Sequence, residues 1–358
     1  MQRRALLVCP GRGSYTADDL RSLDKWRAVP GRSALVDEIV GAADDYRRSV
    51  GSPTISELDQ AERFSAARHA VGENAGPLIF TASAVDAFLL PRELYRPVAV
   101  VGNSMGWYTA LFVGGALEFT ESLRVVDTMS KTQRDGIVGG QIIYPVVDDE
   151  WRPDAALRDA ALAAIGKVAA EGETAALSID LGGFLVLAGS ERGIQRLKET
   201  LGPRKFGKRD YPFQLINHAA FHTSLMQEHS DVGRRDLADL RWLAPTISMV
   251  DGTGRIWRPA TTDAEAMRSY TFVTQCLETY DFTLSLRVAL REFAPDVIVL
   301  LGPGDSLGGA IGQTLVREGW RGIGSKTEFL ARQASDDPIL LSLGRKDDFR
   351  RFVASRLA

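Results

Sequence analysis

The chain has 358 residues, with 43 Lys plus Arg against 46 Asp plus Glu, a formal charge of −3, 45% hydrophobic residues and 25% charged. This is a globular composition with ample material for a buried core, and without a basic block it gives no electrostatic footprint for nucleic acid or an anionic membrane. Two cysteines, Cys9 and Cys276, and four histidines are too few for a disulfide framework or a multi-site metalloprotein, so free thiols, no metal and a cytoplasmic location are expected.

Residues 4–9 read as a buried strand, apolar and closed by Pro10-Gly11, and too short for the core of a signal peptide. No window approaches 18 consecutive apolar residues, so no bilayer-spanning helix is expected. Residues 16–95 carry helical periodicity broken at Pro30-Gly31 and at Gly51-Ser52-Pro53, with an apolar helix at about residues 77–90. Residues 97–101 form a strand that runs directly into Gly102, and residues 105–113 a helix, which is an α/β pattern.

Beyond residue 136 the elements shorten. A strand at 141–147, a helix at 154–171, strands at 174–181 and 184–187 joined by Gly182-Gly183, a helix at 191–201 and a strand at 210–215 follow in turn. The order β-α-β-β-α-β is that of a ferredoxin-like unit. Residues 136–212 are therefore read as a small subdomain inserted into a large α/β body made of residues 1–135 and 213–358. A strand at 246–250, helices at 264–278 and 282–293, and a central strand at 297–301 ended by Gly302-Pro303-Gly304 complete the body.

Two stretches match G-x-S-x-G, the turn that exposes a nucleophilic serine between a strand and a helix: Gly102-Asn-Ser104-Met-Gly106 and Gly304-Asp-Ser306-Leu-Gly308. Only the first has a strand entering its glycine directly; the second, with Gly302 and Pro303 intervening, reads as a glycine-rich turn. On context alone Ser104 fits a nucleophile and a packed turn serine equally. A serine attacks at neutral pH only when a base, most often histidine, takes its proton. His69 lies in a charged helical stretch and is expected to face solvent, whereas His218, His222 and His229 crowd the segment after the insertion. An ordinary α/β-hydrolase places its histidine late, after an acidic partner. No histidine follows His229, which excludes that order.

Four stretches together resemble the malonyl-CoA:acyl-carrier-protein transacylase family, which includes the acyltransferase domains of fatty acid and polyketide synthases. Pro10-Gly-Arg-Gly-Ser14 stands for P-G-Q-G-S, Gly102-Asn-Ser-Met-Gly-Trp-Tyr-Thr-Ala-Leu111 for G-H-S-x-G-E-Y-x-A-L, Phe221-His-Thr-Ser-Leu-Met226 for F-H-S-x-x-M, and Leu301-Gly-Pro-Gly304 for the late G-P-G turn. They occur in family order over about residues 5–316. The resemblance implies an α/β-hydrolase-like large subdomain with an inserted ferredoxin-like (βαββαβ) small subdomain. It further implies Ser104 as nucleophile, His222 as general base, an oxyanion hole from the backbone N–H groups of Arg12 and Met105, and Gln275 as a residue that helps orient His222. Acyl-CoA would be the donor, the phosphopantetheine thiol of an acyl carrier protein the acceptor, and no bound cofactor is implied.

The departures bear on the acyl group. Malonyl-specific members of the family carry an arginine 25 residues after the serine that pairs with the malonyl carboxylate; here that position is Met129, which disfavours a malonyl donor because a buried carboxylate needs a partner. Arg124 and Arg134 are near in sequence but out of helical phase. Asn103 replaces the family's histidine, Trp107 its glutamate and Arg12 its first-loop glutamine. Asn103, Trp107 and Met129 are therefore assigned to a reshaped acyl pocket, with packing of Trp107 against the insertion as the alternative. Transfer to a carrier protein is the first reading; an acyl-carrier-protein thioesterase using the same Ser-His pair and a non-catalytic carrier-docking homologue are the others.

Overall fold

Three aliphatic runs set the centre of the molecule: residues 5–9, 99–101 and 297–300 are almost wholly removed from solvent. Strands buried on both faces are the mark of a parallel sheet covered by helices. A computed structural model describes residues 2–132 and 136–354; Arg134 lies outside them. In chain order the strands are β1 (Arg3–Cys9), β2 (Tyr95–Gly102), β3 (Gly140–Pro145), β4 (Ala175–Leu181), β5 (Phe184–Gly189), β6 (Arg204–Phe206) and β7 (Arg209–Tyr211). They continue with β8 (Phe213–Gln214), β9 (Met249–Val250), β10 (Ile256–Trp257), β11 (Tyr280–Asp281), β12 (Val297–Leu300) and β13 (Leu340–Ser342).

The large sheet has the order β10-β9-β2-β1-β12-β13, parallel throughout except for the antiparallel β9–β10 pair. From β1 the chain moves to β2 on one side and later to β12 on the other, so the carboxyl ends of β2, β1 and β12 bound a crevice where the strand order reverses. Open α/β sheets bind ligands at such places. The helix Gly72–Phe88, expected at residues 77–90, starts a turn earlier and is buried on nearly every side.

The second sheet runs β11-β4-β5-β3-β8. Its strands β4, β5, β3 and β8 are antiparallel neighbours in the spatial order of a ferredoxin-like sheet, with helices Ala155–Ala170 and Glu191–Leu201 packed on it through Ala161, Ala164, Ile194 and Leu197. The strand expected at 210–215 is instead divided: β7 pairs with β6 in a hairpin, and only Phe213–Gln214 joins β3. Pro212 lies at the break, where its missing N–H cannot continue a ladder. β11, from the large body, adds to β4 and so ties the two sheets together. The helix expected at 264–278 is interrupted by a π-helical turn, Tyr270–Thr274, before a last short piece, Gln275–Leu277. Among the described residues no helix is long and apolar enough to cross a membrane, and Cys9 and Cys276 are buried and unpaired with each other.

Candidate active site

Ser104 sits between the end of β2 and the helix Gly106–Val113 with φ 55°, in the left-handed region that costs a non-glycine residue about 1–3 kcal/mol. Its neighbours enforce this. A Cβ on Gly102 would lie 2.3 Å from backbone atoms of Gly106, and one on Gly106 only 2.2 Å from the Cys9 carbonyl oxygen. Only hydrogen fits at either position, so strand, turn and helix close tightly and leave the serine side chain at the open tip.

His222 reaches the same point from the chain that leaves the small sheet. It too has a positive φ, 60°, in a turn fixed by Thr223, whose hydroxyl donates to the Ala220 carbonyl at 2.6 Å and accepts from the Leu225 amide. Its Nε2 lies 2.7 Å from Ser104 Oγ, and its Nδ1 lies 2.6 Å from the Gln275 carbonyl oxygen. A carbonyl only accepts, so Nδ1 carries the proton and Nε2 is left as the acceptor for the serine hydroxyl. That carbonyl is available because it belongs to the last turn of a helix, where backbone oxygens have no intrahelical partner. The π-helical turn just before it lies where such bulges often fall, next to a functional group.

The Gln275 side chain closes the constellation from the other side. Its Nε2 donates to the Ser104 carbonyl at 3.2 Å, and its Oε1 accepts from the Tyr108 hydroxyl at 3.0 Å. Tyr280 donates to the Gly102 carbonyl at 2.6 Å. His222 is 3% exposed, and burial holds its pKa down at about 4, partly opposed by the Gln275 carbonyl, so the imidazole is neutral at physiological pH. Burial likewise keeps His218 and His229 neutral, each at about 3, with the positive charge of Arg12 acting in the same direction.

A narrow pocket opens on this pair, lined by Arg12, Ser104, Met105, Met129, His222 and Gln275 together with Tyr108, Ser130, Phe221, His229 and Cys276. The first six of these were singled out in the sequence, and the fold brings them together. Met105 precedes the first residue of the Gly106–Val113 helix, where amides lack intrahelical acceptors. Met129 forms pocket wall at the position of the family arginine. Arg124 instead pairs with Asp239 at 2.7 Å on the surface.

Asn103 and Trp107, assigned above to the acyl pocket, are not among its lining. Asn103 packs against Gly11, whose added Cβ would meet its carbonyl at 2.6 Å. Trp107 is fully buried behind the serine, donating from Nε1 to Thr271 Oγ1 at 2.9 Å with its ring edge-on to Tyr270. It packs on the π-helical turn, not on the inserted unit. His69, expected to face solvent, is fully buried: its ring lies against Tyr15 and Phe64, and its nitrogens meet the Ser65 and Leu58 carbonyls. Ser306 holds the first loop in place, 2.6 Å from Ser14 Oγ. The sequence marks Arg12 as a replacement of the family glutamine but gives a role only to its amide, and Tyr108 and Tyr280 carry no sequence signal beyond being aromatic.

No family model matches the chain. Similar sequences include the malonyl CoA-acyl carrier protein transacylases of Escherichia coli strain K12, 25% identical over 156 residues that are 43% of this chain and 47% of that protein, and of Bacillus subtilis, 26% identical over 61% of this chain and 62% of that one. The chain thus spans about half the length of the first of these relatives. Solved structures align over nearly the whole chain. An acyl-carrier-protein S-malonyltransferase from Burkholderia pseudomallei matches with a TM-score of 0.73 and 22% identity over 96% of this chain and 97% of that one. A malonyl-transacylase solved in complex with its type II polyketide-synthase acyl-carrier protein matches with 0.74 and 18% over 99% and 100%. The chain has the fold of these proteins and resembles them as a divergent relative.

Proposed function

We propose that the chain is an acyltransferase that moves an acyl group from acyl-CoA, or another acyl thioester, to the phosphopantetheine thiol of an acyl carrier protein. The observation that carries this reading is the hydrogen bond from Ser104 to a neutral His222 whose tautomer is fixed by the Gln275 carbonyl. Ser104 Oγ attacks the thioester carbonyl while its proton passes to His222 Nε2. The backbone N–H groups of Arg12 and Met105 face the developing oxyanion. CoA leaves as its thiol with the proton from His222, and the carrier thiol then attacks the serine ester by the same steps in reverse. Gln275 acts by holding His222 and the Ser104 carbonyl. The relative solved with its acyl-carrier protein supports a carrier as acceptor. With Met129 in the pocket wall, a donor carboxylate would not be held from the Phe119–Lys131 helix.

To test transfer, the protein is charged with acyl-CoA, freed of CoA, and mixed with the phosphopantetheinylated carrier protein or with buffer alone. Loss of the acyl group at least tenfold faster with the carrier, and its appearance on the carrier, is the expected result. Equal rates of loss would replace the transferase with a thioesterase.

The pH dependence of Ser104 acylation follows from the same environment. His222 must be neutral to accept a proton, and burial beside Tyr280 and Phe221, partly opposed by the hydrogen bond to the Gln275 carbonyl, depresses its pKa from 6.5 to about 4. Acylation is therefore expected to stay level as pH falls through 6.5 and to decline only near pH 4 to 5. A decline centred at 6.5 in single-turnover acylation would contradict the buried, neutral base.

A further inference from the structure

His229 brings a second imidazole to the pocket of Ser104 and His222, and the transfer chemistry makes no use of it. It is the third residue of the helix Gln227–Asp236, 7% exposed, with its ring edge-on to Phe221 at 5.7 Å between centres. One turn further along that helix, a Cβ added to Gly233 would lie 3.0 Å from Met129 Sδ, so the helix packs directly against the methionine of the pocket wall. Two hydrogen bonds fix the tautomer of His229. The Thr132 hydroxyl donates its one proton to the Met129 carbonyl at 2.9 Å, so toward His229 Nδ1, 2.5 Å away, it accepts. Nδ1 therefore carries the imidazole proton, and Nε2 is left with a lone pair. Burial above all, then the nearby His222 and Arg12, holds the pKa at about 3, so the ring is neutral at physiological pH. Among the described residues no hydrogen bond reaches Nε2, although its ring lines the pocket.

We propose that His229 is a specificity residue that selects a short acyl group bearing a hydroxyl, whose O–H donates to Nε2. This rests on the acyl-enzyme reading given above. The pocket offers a lone pair set among the apolar surfaces of Met129 and Phe221. A hydroxyl on a short alkyl stem matches both parts: it supplies the missing donor, adds no charge to a buried site, and lets the stem lie on the apolar wall. The thioester carbonyl cannot take its place, because it only accepts. Selection comes from what a plain acyl group does there. It excludes water from Nε2, brings no donor of its own, and leaves a buried acceptor unpaired, which costs more than the bond itself gains. Sites built to bond a substrate hydroxyl reject the analogue without it for this reason.

The test compares matched donors by the rate at which they add mass to Ser104: glycolyl-CoA against acetyl-CoA, and 3-hydroxypropionyl-CoA against propionyl-CoA. Within each pair the thioester arm is constant and only the hydroxyl differs. The wild type is expected to take the hydroxylated donor at least tenfold faster in one pair or both. His229→Leu, which removes the acceptor, is expected to bring that ratio close to one, and His229→Gln, whose amide oxygen can accept in place of Nε2, to keep part of it. The ratio is independent of how much active protein each variant yields, and the wild-type comparison stands without any variant. A wild type that takes both members of each pair equally fast would overturn the assignment while leaving the acyl-enzyme intact. So would His229→Leu slowing every donor alike with the ratio unmoved, since Nε2 would then serve a part common to all donors. Absence of an adduct from every donor would instead remove the acyl-enzyme reading, and the assignment with it.

Discussion

Replacing His222 with alanine is expected to slow acylation of Ser104 by about 10²- to 10⁴-fold, the usual contribution of a positioned general base. The serine keeps its place at the tip of the turn, because Gly102 and Gly106 fix the backbone there independently of the histidine. What is lost is the proton acceptor 2.7 Å from Oγ. No other base among the described pocket residues is bonded to that oxygen. His229 sits in the same pocket but is committed through Nδ1 to Thr132 Oγ1 at 2.5 Å. The check is the rate of mass gain on the intact protein under single-turnover conditions, with circular dichroism to confirm folding. A loss smaller than tenfold would mean that the pair seen in the structure is not the proton-transfer pair.

The second large effect is on the fold. Gly106→Ala is expected to destabilise by about 3 kcal/mol, the range of forced overpacking, and to abolish acylation. Helix propensity alone favours the opposite sign by about 1 kcal/mol, since Gly106 opens a helix and alanine is the better helix former. Sterics decide the outcome: the added carbon would meet the Cys9 oxygen at 2.2 Å and the Pro10 oxygen at 2.8 Å, both backbone atoms at the end of β1 that cannot turn aside. Gly166 supplies the contrast. It lies exposed in the helix Ala155–Ala170, and a Cβ there meets nothing within 4 Å. Gly166→Ala is therefore expected to stabilise by about 1 kcal/mol. Chemical denaturation of the two variants beside the wild type tests both signs together, and equal effects would show that close approach at Gly106 does not govern the turn.

Much of the fold could be read from the chain because its central strands are continuous aliphatic runs and its turns are marked by glycine and proline. The βαββαβ order was legible for the same reason. Local pattern failed where an outcome depended on partners distant in sequence. A helical reading of residues 264–278 carries no sign of the π-helical turn that precedes Gln275, and a four-residue helix has too little periodicity to reveal that His69 is buried against Tyr15 and Phe64. The site shows the same division. Ser104 and His222 could be found from the motifs around them, whereas the direction of a side chain leaving a loop is set by tertiary contacts. Arg12 turns into the pocket over Phe221, and Trp107, the second residue of the helix, points away from it toward Thr271.

The central claim is that acyl groups pass through Ser104. Its most direct test is the intact mass of the protein after brief exposure to acyl-CoA, followed by mapping of the modified peptide, in the wild type and in Ser104→Ala. A single acyl addition on the peptide containing Ser104, absent from Ser104→Ala, is the expected result. An adduct that survives in Ser104→Ala, or that maps to another residue of the wild type, would contradict it.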